Sequence, residues 1–201
     1  AECSGTLTIT DDKNDDGSDK KKDENGYSTG GDTGTLAVIG GGECGASIGG
    51  QGTLDRWKEP SVTDTAERHS TSNITITGGN ISAGYTPEGC NHNYHGQPGA
   101  GIGGGGANSD AAGNGTNITI TGNAKVTAWG YDATGIGGGD FGAGKNIQIK
   151  DYADVHAYGS TNAAGIGGGA NCGGEVIISG NATVFAKGGS SGAGIGSGRY
   201  G

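Results

Sequence analysis

Along most of the chain, apolar residues fall at alternate positions in short runs bounded by Gly, Asn and Asp. That period of two is the signature of β-strands with one face turned inward, and no stretch shows helical spacing. Three short patterns recur in fixed order. The first is Asn73-Ile74-Thr75-Ile76, repeated at Asn117–Ile120, Asn146–Ile149 and, in variant form, Glu175–Ile178. The second is apolar-x-Ala, at Ile81–Ala83, Val126–Ala128, Val155–Ala157 and Val184–Ala186. The third is Gly-Ile-Gly, centred on Ile102, Ile136, Ile166 and Ile195. The step from 118 to 147 to 176 is 29 residues each time, and so is the step from 126 to 155 to 184. A divergent first copy fits Leu7/Ile9, Leu36/Val38 and Ile48.

A fixed period of this length predicts a repeat architecture. Three short strands per repeat describe a three-sided coil, and stacking pairs each strand with its copy one repeat later, in parallel. The predicted fold is therefore all-β: a right-handed parallel β-helix, or solenoid, of about five coils of about 29 residues with a rise of about 4.8 Å per coil. It forms a single domain over residues 1–201, with insertions at 11–34, 51–72 and 86–99. Leu, Ile, Val and Phe number 27 in total, and all but Ile39, Leu54, Val62, Phe141, Ile177 and Phe185 lie on the predicted inward columns.

Composition read without the period points the other way. Glycine accounts for 49 of 201 residues and the net charge is -9, values typical of chains that cannot bury enough surface to fold. Concentrating the few large apolar residues on one internal column resolves that conflict. The negative charge argues against a nucleic-acid partner, and the lack of an apolar run near 20 residues argues against membrane insertion by a helix. The Gly-Ile-Gly-Gly-Gly runs read as tight corners around one buried Ile, because no helix follows them to bind a phosphate. The sequons at Asn73, Asn80, Asn114, Asn117 and Asn181 follow the repeat, and turn chemistry and Asn stacking account for them.

These motifs, in Ala100–Gly105, Asn73–Gly79 and Val126–Gly130, resemble the glycine-rich repeats of secreted bacterial surface proteins often labelled carbohydrate-binding. The resemblance covers most of residues 72 to 198. It implies a β-helical architecture, a secreted or cell-surface location, and a polysaccharide or glycoconjugate as partner.

Two insertions carry candidate chemistry. Asp12, Asn14, Asp16 and Asp23, with Gly17, have the spacing of an EF-hand-type Ca²⁺ loop, which makes Ca²⁺ a candidate cofactor. The terminal ligand is Asp instead of Glu, however, and Lys20–Lys22 crowd the loop, so a solvated charged loop is the competing reading. Cys90, His92 and His95 have spacing that could hold a transition metal. The four cysteines and Ala1 suit a processed, secreted chain. Cys44 and Cys90 fall in equivalent turns of adjacent coils and are the expected disulfide, with Cys3 and Cys172 free or intermolecular.

Function is expected on the outward positions. Trp129 stacks over Tyr158 in the coil pattern, with His156 and Phe185 beside them and Tyr131 extending the row. Flat ring faces suit the apolar face of a sugar, and Asp132 could accept bonds from its hydroxyls. The bland alternative is a ladder that only stabilises neighbouring strands. Outward Thr8, Thr75 and Thr119 form a row that ends at Gln148, too short and uneven for an ice-binding surface. Asp140, Asp151 and Asp154 could supply carboxylates to a polysaccharide lyase or hydrolase, but no acid pair recurs. The expected protein is thus a non-catalytic glycan-binding or adhesive module, with a structural spacer and then an enzyme as alternatives, and end-to-end self-association as a further expectation.

Overall fold

A computed structural model describes residues 5–14, 16, 18–24, 26–29, 33–39, 45–51, 69–84, 99–106 and 112–201. It is all-β over nearly all of them. Five successive coils each contribute one strand to each of three parallel sheets. The first sheet stacks β1 (Leu7–Ile9), β6 (Thr71–Ile76), β9 (Gly115–Ile120), β12 (Gly144–Ile149) and β15 (Gly174–Ile178). The second stacks β4 (Thr35–Val38), β7 (Asn80–Gly84), β10 (Lys125–Trp129), β13 (Asp154–Tyr158) and β16 (Thr183–Lys187). The third stacks the two-residue strands β5 (Ile48–Gly49), β8 (Ile102–Gly103), β11 (Ile136–Gly137), β14 (Ile166–Gly167) and β17 (Ile195–Gly196). This stacking is consistent with a parallel β-helix. A short antiparallel hairpin, β2 (Lys21–Lys22) with β3 (Ser28–Thr29), lies within the first insertion. The insertion expected over 51–72 ends earlier than that, because β6 already begins at Thr71; most of it, and residues 86–98 of the next, lie outside the described residues.

Register follows the sequence repeat. Ile74 pairs with Ile118, Val126 with Val155, and Ile136 with both Ile102 and Ile166. Alternation along each strand then sends like residues inward, where Ile76, Ile120 and Ile149 line one column and Ile102, Ile136 and Ile166 another, all fully buried. Burying each such side chain contributes about 1.5–3 kcal/mol, which is how a glycine-rich chain sustains a core. The outer coils differ. Ile178 and Ile195 occupy the same columns in the fifth coil yet are 42% and 43% exposed, because no further coil covers them among the described residues.

The asparagine of the first pattern has a backbone reason. Asn73, Asn117 and Asn146 all have left-handed φ, from 49° to 60°, a conformation Asn tolerates better than other side-chain-bearing residues. Their amides form a ladder: Asn117 Nδ2 donates to Asn73 Oδ1 at 3.2 Å, and Asn146 Nδ2 donates to Asn117 Oδ1 at 2.8 Å.

The glycine of the third pattern is required by contact. Gly103, Gly137 and Gly167 have φ between 132° and 137°, and a Cβ on Gly137 would lie 2.0 Å from the Gly167 carbonyl oxygen. Gly137→Ala should therefore destabilise the fold by more than about 3 kcal/mol, combining backbone strain with a clash that neither coil can relieve alone. Gly173→Ala, whose Cβ would meet only the Ser197 hydroxyl at 4.0 Å, should change stability by less than about 0.5 kcal/mol. Equilibrium denaturation of the two variants side by side checks the contrast.

Candidate functional site

The outward side of the second sheet carries the aromatic residues singled out from the sequence. Strict register places Trp129 beside Tyr158 and His156 beside Phe185 on adjacent strands. The Trp129 and Tyr158 rings are stacked, with centroids 5.8 Å apart and planes 10° from parallel. His156 stacks on Phe185 at 5.6 Å, and Phe185 also meets Tyr158 at 5.7 Å in a tilted arrangement. The four rings thus form one continuous patch over three coils. Trp129, Tyr158 and His156 are half-buried and Phe185 is exposed, so ring surface remains open to solvent. At the polar edge of the patch, His156 Nε2 lies 3.6 Å from Asp154 Oδ1, an oxygen that is itself buried without a hydrogen bond.

The other expected residues are placed differently. Tyr131 and Asp132 lie just beyond β10, in the corner leading to the third sheet, both half-buried. Asp132 has left-handed φ of 45°, and its Oδ1 accepts hydrogen bonds from Thr161 Oγ1 and Ser160 Oγ of the next coil. One oxygen of this carboxylate therefore braces the corner, which leaves less of it for an incoming hydroxyl.

The acidic loop forms a hairpin whose oxygens serve separate turns. Asp12 Oδ1 accepts from Ser28 Oγ at 2.7 Å, which holds its carboxyl below the usual carboxylate range, helped by Lys22 nearby. Asp16 Oδ1 accepts from the Ser18 hydroxyl and amide, and Asp23 Oδ1 from the Tyr27 amide. The Asn14 amide donates to Ser18 Oγ at 3.0 Å. Among the described residues no group of three or more His, Cys, Asp or Glu side chains is gathered for a metal ion. Cys44, Cys90, His92 and His95 lie outside the described residues. Cys172 is a free thiol that donates to the Phe141 carbonyl, and burial pushes its pKa up.

A feature with no local sequence signal lies between this hairpin and the body. The hairpin folds across the corner joining the first and second sheets and reaches residues two and three coils further along. Tyr27 Oη donates to Asp151 Oδ2 at 2.5 Å, Thr121 Oγ1 donates to the same oxygen, and Asn123 Nδ2 donates to the Ser28 carbonyl at 2.9 Å. Beneath it is a cavity of about 510 Å³ lined by Thr10, Lys20, Lys22, Tyr27, Asn123 and Lys125, among others. Lys20 is almost fully buried there and pairs with Asp11 at 2.8 Å. Lys125 belongs to β10, four residues from Trp129 and on the same face, so the cavity and the aromatic patch lie about 13 Å apart along one strand. The one legible clue was Asp151: it occupies a left-handed corner position, φ 61°, that is glycine in the neighbouring coils at Gly122 and Gly180.

No family model matches the chain, and neither curated proteins nor solved structures give a match.

The latch has a definite pH dependence. Hydrogen bonds from Thr121 and Tyr27 lower the Asp151 pKa, and the Asp151 carboxylate raises that of Tyr27. A lowered carboxylate pKa contributes stability that is complete above the unfolded value of about 3.9 and is lost as pH falls through the folded value. A raised phenol pKa contributes stability that is complete below about 10 and is lost as pH rises through the folded value. In an NMR titration, hairpin resonances from Lys20 to Thr29 should move below the usual carboxylate range and again above the usual phenol range, while third-sheet resonances stay fixed. Asp151→Asn should flatten both limbs.

Proposed function

We propose that the protein is a secreted or cell-surface, non-catalytic module that binds a glycan along the outward face of the second sheet of a right-handed parallel β-helix. The observation that carries this reading is the Trp129–Tyr158 stack, extended by Phe185 and His156 into an open aromatic patch. Sugar recognition needs a flat ring face held rigid, with hydrogen-bonding groups at its rim. Here each ring is fixed by its strand, and the half-exposed His156 imidazole stands at the rim as a hydrogen-bonding group. The polar cavity at the Lys125 end of the same face suits hydroxyl groups of the same chain: it presents amide, ammonium and hydroxyl groups beside the Tyr27 ring. In this reading the acidic loop serves as the strap over that cavity, and Asp151 serves the latch in place of acid–base chemistry.

A glycan array should find polysaccharide ligands, and no cleavage should accompany binding on the same sample. Trp129→Ala should then weaken binding by about 2 kcal/mol, roughly 30-fold. It should cost only about 0.5–1.5 kcal/mol of stability through loss of the ring pair, since the side chain points away from the core. A purely structural spacer would show that stability loss with no ligand to lose, and measurable cleavage would restore the enzyme reading.

A further inference from the structure

The chain carries a net charge of -9, yet the face that holds the aromatic patch has the opposite sign. The strands of the second sheet contain two lysines, Lys125 and Lys187, and one carboxylate, Asp154. The strands of the first sheet contain one charge of each sign, Lys145 and Glu175, and those of the third contain none. The negative charge is therefore carried by corners and insertions. Lys125 and Lys187 are both exposed, and neither forms an ion pair with a described residue. Asp154 is the register neighbour of Lys125, but its Oδ1 is buried and lies 3.6 Å from His156 Nε2. In the cavity at the Lys125 end, Lys20 pairs with Asp11 and Lys22 lies 3.6 Å from Asp12. Lys125 is the cavity's lysine that these two carboxylates leave uncompensated.

Resting on the glycan reading above, we infer that the ligand is an acidic polysaccharide, its acid groups held by Lys125 and Lys187 while its sugar rings lie on Trp129 and Tyr158. The register places the two cations at opposite corners of the aromatic patch. Lys187 pairs with Tyr158 and so continues the Trp129–Tyr158 column by one coil. Lys125 lies four residues before Trp129 on the same strand. Two coils and four residues separate the lysines, which sets their Cα atoms roughly 16 Å apart, with His156 midway along the diagonal. A neutral glycan would cover this face and leave both ammonium groups without a counter-charge. A polymer with a recurring acid group supplies one at each corner. The net charge of the whole chain would repel such a polymer, but at physiological salt the field of an exposed charge decays over about 8 Å. The lysines on the face therefore outweigh carboxylates at distant corners. An ammonium on a flexible stem imposes no bidentate geometry, so it suits a carboxylate or a sulfate equally.

An array of neutral, uronate-bearing and sulfated polysaccharides, followed by calorimetry on the whole chain, tests this. The array includes two matched pairs that separate charge from sugar: polygalacturonate against its methyl ester, and dextran sulfate against dextran. Acidic members should bind and neutral ones should not, and preference for uronate or for sulfate then identifies the acid group. Binding should weaken steeply between about 0.1 and 1 M salt, as the screening length falls from about 10 to about 3 Å. Lys125→Gln and Lys187→Gln should each weaken binding about threefold, and the double variant about tenfold, with the parent's circular dichroism. Lys125→Arg, which keeps the charge, should bind like the parent. Neutral polysaccharides bound as tightly as acidic ones, or acidic ones bound equally well by the double lysine variant, overturn this inference. If Trp129→Ala still abolishes binding in those cases, the glycan reading itself stands. An array on which nothing binds overturns both.

Discussion

Everything in this molecule rests on the distance between successive coils at the Gly-Ile-Gly corner. There the backbone of one coil passes so near the next that a single added carbon on Gly103 would sit 1.9 Å from the Gly137 carbonyl oxygen. Two strands can approach like this only if both lack side chains on the facing side, so glycine must recur in the same place in every coil. That requirement locks the register. A one-residue slip would drive Ile into the backbone and expose glycine to the core. The buried Ile between the glycines then supplies the apolar contact that holds the corner together.

Because the core demands so few residues per coil, the outward positions are free to vary. They have done so unevenly. The first sheet presents Thr8, Thr75 and Thr119 in line before changing to Gln148 and Ile177, as the sequence spacing indicated. The second sheet presents aromatic rings on three neighbouring coils, and the pairing geometry alone makes them touch. Rigid spacing by the coils turns scattered aromatic residues into a surface.

The hairpin shows a second use of the same scaffold. An insertion at one corner lies along the corners of later coils and is held by side chains that the repeat does not need for packing. Asp151 stands where neighbouring coils have glycine, and it tolerates the left-handed corner while offering a carboxylate to Tyr27 and Thr121. The cavity beneath exists only because the chain returns across its own surface.

The strands, their parallel pairing, the inward columns and the stacking of Trp129 on Tyr158 were all determined by the sequence, because each follows from a period of two within strands and of 29 between them. A repeat converts distant contacts into a local rule: position i always meets position i plus one period. Where the period breaks, that rule has nothing to act on. The pairing of Lys20 with Asp11, the reach of Tyr27 to Asp151, and the separate employment of Asp12, Asp16 and Asp23 were decided by tertiary structure. Asp12 accepts from Ser28, Asp16 from Ser18 and Asp23 from the Tyr27 amide, partners that the spacing of the acidic loop does not name. Spacing along a chain specifies which groups can meet only when the backbone between them has a known path, and in an insertion that path is set by the surface on which it lies.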